Sequence, residues 1–277
     1  MASTKKVAVV TGSNKGIGYA IVRALCQKFD GDVILTSRDE GRGKEAVKEL
    51  NGEGLNPKFH LLDIDDVATV DRLHDFVQQE YGGLDVLVNN AGIAYKNSST
   101  APFSEQAEVT VKSNFWGTLN VCDKLFPLLR PHARVSNVSS MVSQMTIKKC
   151  SNEVQERFKD PYLTMDGLKK LMTEFVSLAK EGKHEAAGWP SSAYGVSKVG
   201  VTVMSMIQQR QFDAEGKEDI IVNACCPGYV NTDMSSHKGH KTIDQGAETP
   251  VMLALIPPNA TSPRGEYLSE KQVQKWG

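Results

Sequence analysis

No stretch of the 277-residue chain contains the roughly 18 to 20 consecutive apolar residues that a membrane-spanning helix needs. Near the N-terminus, Lys5 and Lys6 lead straight into Val7 to Val10, an apolar run too short for the core of a secretion signal. Both absences predict a protein that is neither inserted in a membrane nor exported. Charge of one sign is missing too, since 32 Lys and Arg face 33 Asp and Glu. That balance leaves no electrostatic footprint for nucleic acid or an anionic surface. Cysteine is scarce: Cys26, Cys122, Cys150, Cys225 and Cys226 form an odd set without any C-x-x-C spacing. Neither a disulfide framework nor a zinc knuckle fits them, so a reducing, cytoplasmic setting is expected. Linkers rich in Ser and Gly, charge blocks and internal repeats are also lacking, which argues for one domain.

A substantial core is present. Hydrophobic residues make up 40% of the chain, and a chain of about 300 residues buries roughly three quarters of its unfolded surface. Short runs rich in Val and Ile alternate with stretches of helical period, the rhythm of repeated βαβ units. Strands are expected at Lys6 to Thr11, Asp32 to Thr36, Lys58 to Leu62, Leu84 to Asn89, Arg134 to Val138 and Ile220 to Ala224. Most are continuously apolar, the mark of parallel strands covered by helices on both faces. The predicted fold is therefore α/β, a Rossmann-type doubly wound parallel sheet. Val196 to Met206 is almost wholly apolar and predicts a helix buried on nearly all sides. The βα rhythm breaks between Met141 and Gly188, where Leu168, Leu171, Met172, Phe175 and Leu178 fall at helical spacing. With Thr164 as N-cap and Gly182 as stop, this reads as a helical insertion in a single domain.

The first strand runs into Thr11-Gly12-Ser13-Asn14-Lys15-Gly16-Ile17-Gly18 and then a helix. Glycines there allow a tight turn whose amides and helix N-terminus approach a pyrophosphate. The spacing departs from G-x-G-x-x-G, and alone it would equally suit an ordinary βα turn. Further motifs follow in order: Asp63 after the third strand, Asn89-Asn90-Ala91-Gly92, Asn114, Ser140, Tyr194 with Lys198, and Pro227-Gly228-x-Val230-x-Thr232. In this set and order the chain resembles the short-chain dehydrogenase/reductase family over nearly its whole length. The resemblance implies a nicotinamide cofactor held by Gly12, Asn14, Lys15, Gly16, Ile17, Gly18, Asp63, Ile64, Asn90, Ala91, Gly92, Pro227, Gly228, Val230 and Thr232, together with Tyr194 and Lys198.

The second strand selects the cofactor. An NAD enzyme of this fold places an acidic side chain there for the ribose hydroxyls, which would repel a 2′-phosphate. Here Leu35-Thr36-Ser37 is followed by Arg38, and Lys15 supplies a second cation, a pair suited to NADPH. Arg38 paired with Asp39 or Glu40 at the surface is the alternative, and a one-residue shift of the strand end would bring Asp39 to the ribose.

Tyr194 and Lys198 stand four apart on an expected helix and so share a face. A neighbouring ammonium stabilises phenolate and makes the phenol a usable acid. Ser140, at the end of a parallel strand, is placed to donate to a carbonyl oxygen; the resemblance favours it over Ser139. The resemblance also makes Asn114 the anchor of a proton-relay water. Met141, Trp189, Tyr229 and Met234 flank these motifs and are expected to wall an apolar substrate pocket, although core packing would explain them equally. His237 and His240 lack a third partner at metal-ligand spacing, and no metal is expected.

Within the family the chain resembles the monomeric, cytosolic carbonyl reductases, because 54 positions separate Ser140 from Tyr194, a gap far shorter in most members. The implied activity is NADPH-dependent reduction of aldehydes, ketones or quinones, with prostaglandins and xenobiotics within reach. Two rivals are an NAD-linked alcohol or steroid dehydrogenase and a non-catalytic nucleotide sensor. The insertion is expected to cover the Tyr-bearing helix and leave a monomer; covering the substrate pocket is its alternative role.

Overall fold

The sheet is built outward from β1, Val7–Val10, whose four residues are all buried. Ala8 and Val10 pack on one face with Ile21, Leu25 and Val251, while Val7 and Val9 pack on the other with Val70, Leu73 and Val121. Burial of both faces is why the strand reads as continuously apolar. The computed structural model describes residues 5–96 and 98–277. In chain order, α1 (Gly16–Lys28), β2 (Asp32–Ser37), α2 (Glu40–Gly52), β3 (Lys58–Leu61), α3 (Val67–Tyr81) and β4 (Leu84–Asn89) follow β1. Next come α4 (Phe103–Val111), a π-helical segment (Lys112–Gly117), α5 (Thr118–Leu125), and β5 (Leu129–Val138). The insertion contributes α6 (Met141–Ile147), α7 (Asn152–Lys159) and α8 (Met165–Lys180). The remaining elements are α9 (Ala193–Ala214), β6 (Ile221–Cys226), α10 (Ile243–Ala254), β7 (Tyr267–Ser269) and β8 (Gln272–Val273).

The strand order is β3-β2-β1-β4-β5-β6-β7-β8, parallel except for the antiparallel β7–β8 pair. The order reverses between β1 and β4, and ligands of such sheets bind beyond the strand C-termini at that crevice. Several strand ends differ from expectation by one or two residues, and the larger departures are two. β5 begins at Leu129 instead of Arg134, and its pairing with β4 shifts register between Leu84 and Val86. Its first residues include Arg130, Pro131 and His132, with His132 at φ 66°, so no apolar run announces them. The β7–β8 hairpin was not expected, being only three and two residues long.

Helix α9 is the central buried element. Its residues Gly195 to Ser205 are buried without interruption, as the apolar run predicted. Helix α8 turns Leu168, Leu171, Met172 and Phe175 onto it, in one cluster with Val196, Val199 and Val203. Thr164 caps α8 by accepting from the Gly167 N–H at 3.1 Å, and Gly182 sits at φ 68° two residues beyond its end. Close approach of α8 requires Gly200, where a Cβ would stand 2.9 Å from both Met172 Sδ and Phe115 Cδ2.

Candidate active site

A cleft of about 420 Å³ opens beyond the C-terminal ends of β1, β2, β4 and β5. At one end lies the glycine turn. Gly12 and Gly16 adopt φ 59° and 60°, the left-handed region that side chains disfavour. A Cβ on Gly12 would meet Ala91 Cα at 2.8 Å, and one on Gly18 would meet the Gly12 carbonyl oxygen at 2.6 Å. The turn is clamped to the end of β4: Thr11 Oγ1 accepts from the Asn90 and Ala91 amides, both at 3.0 Å, and Asn90 Nδ2 donates to the Gly12 carbonyl at 2.9 Å. Helix α1 begins here with no side-chain cap on its first amides and no acid in its first turn, an open seat for an anion.

Asn14, Lys15, Gly16, Ile17 and Gly18 line this end of the cleft, and Arg38 lines it from the end of β2. Arg38 is exposed, and among the described residues it holds no ion pair. Asp39 is turned to another task, because its carboxylate caps α2 by accepting from the Arg42 N–H at 2.8 Å and pairs with the Arg42 guanidinium at 3.2 Å. Lys15 extends across the mouth to Asp233, which also holds His237 at 3.0 Å. The second cation expected for the 2′-phosphate is thus engaged with a carboxylate.

The middle is walled by Asp63 and Ile64 after β3 and by Asn90, Ala91 and Gly92 after β4. Pro227, Thr232 and Met234 close the far side. Val230 is buried with its side chain against Gly246, and Gly228 adopts φ 86°; these two support the loop from below rather than lining the cleft.

At the inner end, Tyr194 and Lys198 project from α9 into the cleft. The Tyr194 hydroxyl faces that of Ser140, and the Lys198 Nζ lies 5.8 Å from the centre of the Tyr194 ring. Lys198 is 5% exposed and donates to the Val138 carbonyl at 2.8 Å. Burial pushes the phenol up to about 12, outweighing the opposing pull of the Ser140 hydrogen bond. It brings the Lys198 ammonium down to about 8. Here the structure departs from expectation: desolvation, not the ammonium, governs the phenol, because the ammonium's direct partner is a backbone carbonyl. The phenol stays protonated at neutral pH and so is a proton donor.

Ser140 and Ser139 are sharply distinguished. Ser139 is buried with its Oγ 2.6 Å from Thr202 Oγ1 and 3.1 Å from the Lys198 carbonyl, so its hydroxyl is spent on packing β5 to α9. Ser140 caps α6, accepting from the Val142 amide at 3.2 Å, and its hydroxyl faces Tyr194. Asn114 sits in the π-helical segment, a feature frequent at functional sites. Its Oδ1 accepts from the Ile93 amide at 2.7 Å, and its Nδ2 donates to the Ile93 carbonyl and Ser197 Oγ, each at 2.9 Å. Gly92 keeps this corner open, since a Cβ there would stand 3.1 Å from Asn114 Oδ1 and 3.5 Å from Lys198 Nζ.

The sequence pattern of the family described as short chain dehydrogenase matches residues 6–152 and 180–242. The chain belongs to that family. Residues 153–179, left unmatched, cover most of α7 and α8, so this short-chain dehydrogenase carries them beyond the shared pattern. It is 55% identical over 277 residues to carbonyl reductase [NADPH] 1 of Homo sapiens, covering 100% of both chains. Identity and coverage are the same for carbonyl reductase [NADPH] 3 of Rattus norvegicus. Among solved structures, salutaridine reductase from Papaver somniferum superposes with a TM-score of 0.85 at 32% identity, over 95% of this chain and 99% of that one. Menthone neomenthol reductase from Mentha piperita gives 0.81 at 31%, over 98% and 100%.

One residue of the expected substrate wall is misplaced. Trp189 is 1% exposed and packed between Phe158 and Phe175, so it belongs to the core beneath the insertion. Met141 and Tyr229 are exposed and outside the cleft lining, and Met234 lines it. Several lining residues went unnoticed in the sequence, among them Asp65, Ile93, Ser113 and Asn231, and His237, weighed there only as a metal ligand, lines the cleft as well. Ile93 and Asn231 adjoin or interrupt the motifs and were within reach of the pattern. The Val138 carbonyl was not, because a backbone acceptor leaves no side-chain signature.

Proposed function

We propose that this short-chain dehydrogenase is an NADPH-dependent carbonyl reductase. The observation that carries the reading is that Tyr194, faced by Ser140, lines one end of a cleft with Lys198 while Arg38 lines the other. Full-length identity of 55% to proteins named carbonyl reductase [NADPH] supports it. The residues fit the cofactor. Gly12 and Gly18 let the turn close tightly against Ala91 and Asn90, the first amides of α1 face an anion seat, and Asp39 is withdrawn from the ribose position into the cap of α2. That withdrawal disfavours an NAD-linked dehydrogenase, and a pure sensor has no need of an assembled Ser, Tyr and Lys set.

Bound NADPH supplies a hydride to the carbonyl carbon. The protein supplies the rest: Ser140 donates to the carbonyl oxygen and orients it, and Tyr194 gives that oxygen its proton, completing the alcohol. The Lys198 ammonium stabilises the phenolate left behind and would hold the ribose of the bound cofactor. Asn114, through Ile93 and Ser197, holds the corner from which water would return the proton. Asp63 and Ile64 would hold the adenine end of the cofactor, and Met234 lines the cleft on the substrate side. The substrates are small aldehydes, ketones and quinones. The protein works as a cytoplasmic monomer, in keeping with five free thiols.

Turnover of a simple benzoquinone with NADPH and with NADH tests the reading, and Arg38→Ala tests its cofactor arm. A charge-assisted hydrogen bond is worth about 1.5 to 3 kcal/mol, so the variant should bind NADPH roughly ten- to a hundredfold more weakly with NADH scarcely changed. Equal losses for both cofactors would assign Arg38 to the structure instead.

A further inference from the structure

The C-terminal tail reaches the helix that Ser140 caps. β7 and β8 form a tight hairpin, with Leu268 opposite Val273 and Ser269 opposite Gln272. It is turned by Glu270 and Lys271 at φ 52° and 62°. Two successive left-handed residues are what a two-residue type I′ turn demands. The Gln274 amide donates to the Tyr267 carbonyl at 2.9 Å, so the tail leaves the sheet edge with a fixed heading. It ends on α6. Trp276 Nε1 donates to Ser143 Oγ at 3.1 Å, and Gln144 Nε2 donates to the Lys275 carbonyl at 2.9 Å.

Ser143 is fully buried near the start of a seven-residue helix. A helix that short has little stability of its own, and tertiary contacts must fix where it lies. Its first amide, on Met141, donates to Cys226 Sγ at 3.1 Å, which ties the N-terminus to β6. The body is tied through Ser143. Thr202 Oγ1 donates to the same Ser143 oxygen at 3.3 Å and itself sits 2.6 Å from Ser139 Oγ. A file of hydroxyls thus links the indole of the tail to the serine preceding Ser140. The ring of Trp276 packs in the small cluster of Ala224, Cys226 and Tyr267 beside Met206, so the indole is held on its apolar side as well.

We infer that Trp276, acting through Ser143, is a positioning residue that fixes α6 and thereby aims the Ser140 hydroxyl at the substrate carbonyl. The inference rests on the carbonyl-reductase reading for what Ser140 does, not for where α6 is held. Neither Trp276 nor Ser143 touches the nucleotide end of the cleft, so the effect falls on the substrate side.

Trp276→Phe keeps an apolar ring and removes the donor, and Ser143→Ala removes the acceptor. Each should lower kcat/KM for benzoquinone by about 3- to 10-fold, the size of one modest hydrogen bond, with NADPH affinity within about twofold of wild type. The double variant should be no worse than the worse single, because both remove the same bond. A merely structural defect would reduce the number of NADPH-binding sites but not raise KM at those that remain. Amide hydrogen exchange reads the positioning without turnover: protection across residues 141–147 should fall in both variants while that across 16–28 holds. Unchanged exchange in α6, unchanged kcat/KM, or additive losses in the double variant would each overturn the inference. If the wild-type protein binds NADPH and reduces no carbonyl, the functional reading fails on its own, and the exchange result still decides whether Trp276 holds α6.

Discussion

Tyr194 and Lys198 share a face of α9, and burial drives their acidities in opposite directions, to about 12 and about 8. A phenol that titrates near 12 is protonated throughout the working range, so Tyr194→Phe should retain NADPH binding and lose roughly 10²- to 10⁴-fold in turnover, the share of a general acid. A variant keeping half the wild-type rate would remove Tyr194 from the proton transfer. Lys198 sets the pH dependence. Its ammonium is the charged form below about 8, and rising pH removes the charge that stabilises the phenolate. With NADPH saturating, kcat/KM for a carbonyl should therefore be level at lower pH and fall as pH rises through about 8, well before the phenol titrates. Initial rates across that interval decide it; a level profile would show that the charge of Lys198 is not needed. At this scale the sequence was informative where function is carried by side-chain identity. Ser140, Tyr194, Lys198 and Arg38 stand in recognisable patterns, and the structure sets Tyr194, Lys198 and Arg38 in one cleft with Ser140 facing Tyr194. It was uninformative where identity is ambiguous or the acceptor is backbone. An apolar Trp189 reads the same in a pocket wall as in a core, the Val138 carbonyl has no signature, and Trp276 meets Ser143 across 133 positions of chain.

Among the elements, α9 was the most legible, since its apolar run leaves few ways to place it except buried. Its partner α8 was visible too, through spacing and through Thr164 and Gly182. The fit between them was not visible, because it turns on one missing Cβ. Alanine at position 200 would gain about 1 kcal/mol of helix propensity, but its methyl would lie 2.9 Å from the Phe115 ring and from Met172. Met172 can swing its terminal methyl aside; the ring of the fully buried Phe115 cannot. Overpacking of this kind costs typically about 1 to 3 kcal/mol, so Gly200→Ala should be destabilising on balance by up to about 2 kcal/mol. Denaturant unfolding measures this, and a variant as stable as wild type would mean that α8 shifts outward freely. The π-helical segment escaped the sequence reading for a related reason: Val111 to Cys122 has an ordinary helical pattern, and only the Ile93 and Ser197 contacts of Asn114 show why the turn widens there.

For the whole molecule, the question is what the insertion does to association. Helix α9 presents apolar residues on almost every side, and α4, α6 and α8 are packed on it along with the sheet. Leu168, Leu171, Met172 and Phe175 spend their burial on α9 within one chain, so a second copy has little apolar surface to gain there. The exposed large apolar side chains are scattered, from Val67 and Val109 to Tyr162 and Val273, and one of them, Met234, lines the cleft, where a substrate rather than a subunit would cover it. Sedimentation at micromolar concentration should accordingly give a single 277-residue species. Removing residues 151–183 should strip the cover from α9 and produce dimers or aggregates, because apolar patches beyond a few hundred Å² seldom remain solitary. The intact chain is the decisive sample: a stable dimer or tetramer would mean that association uses a surface other than the one α8 covers, and the role of the insertion would then lie beside the substrate opening.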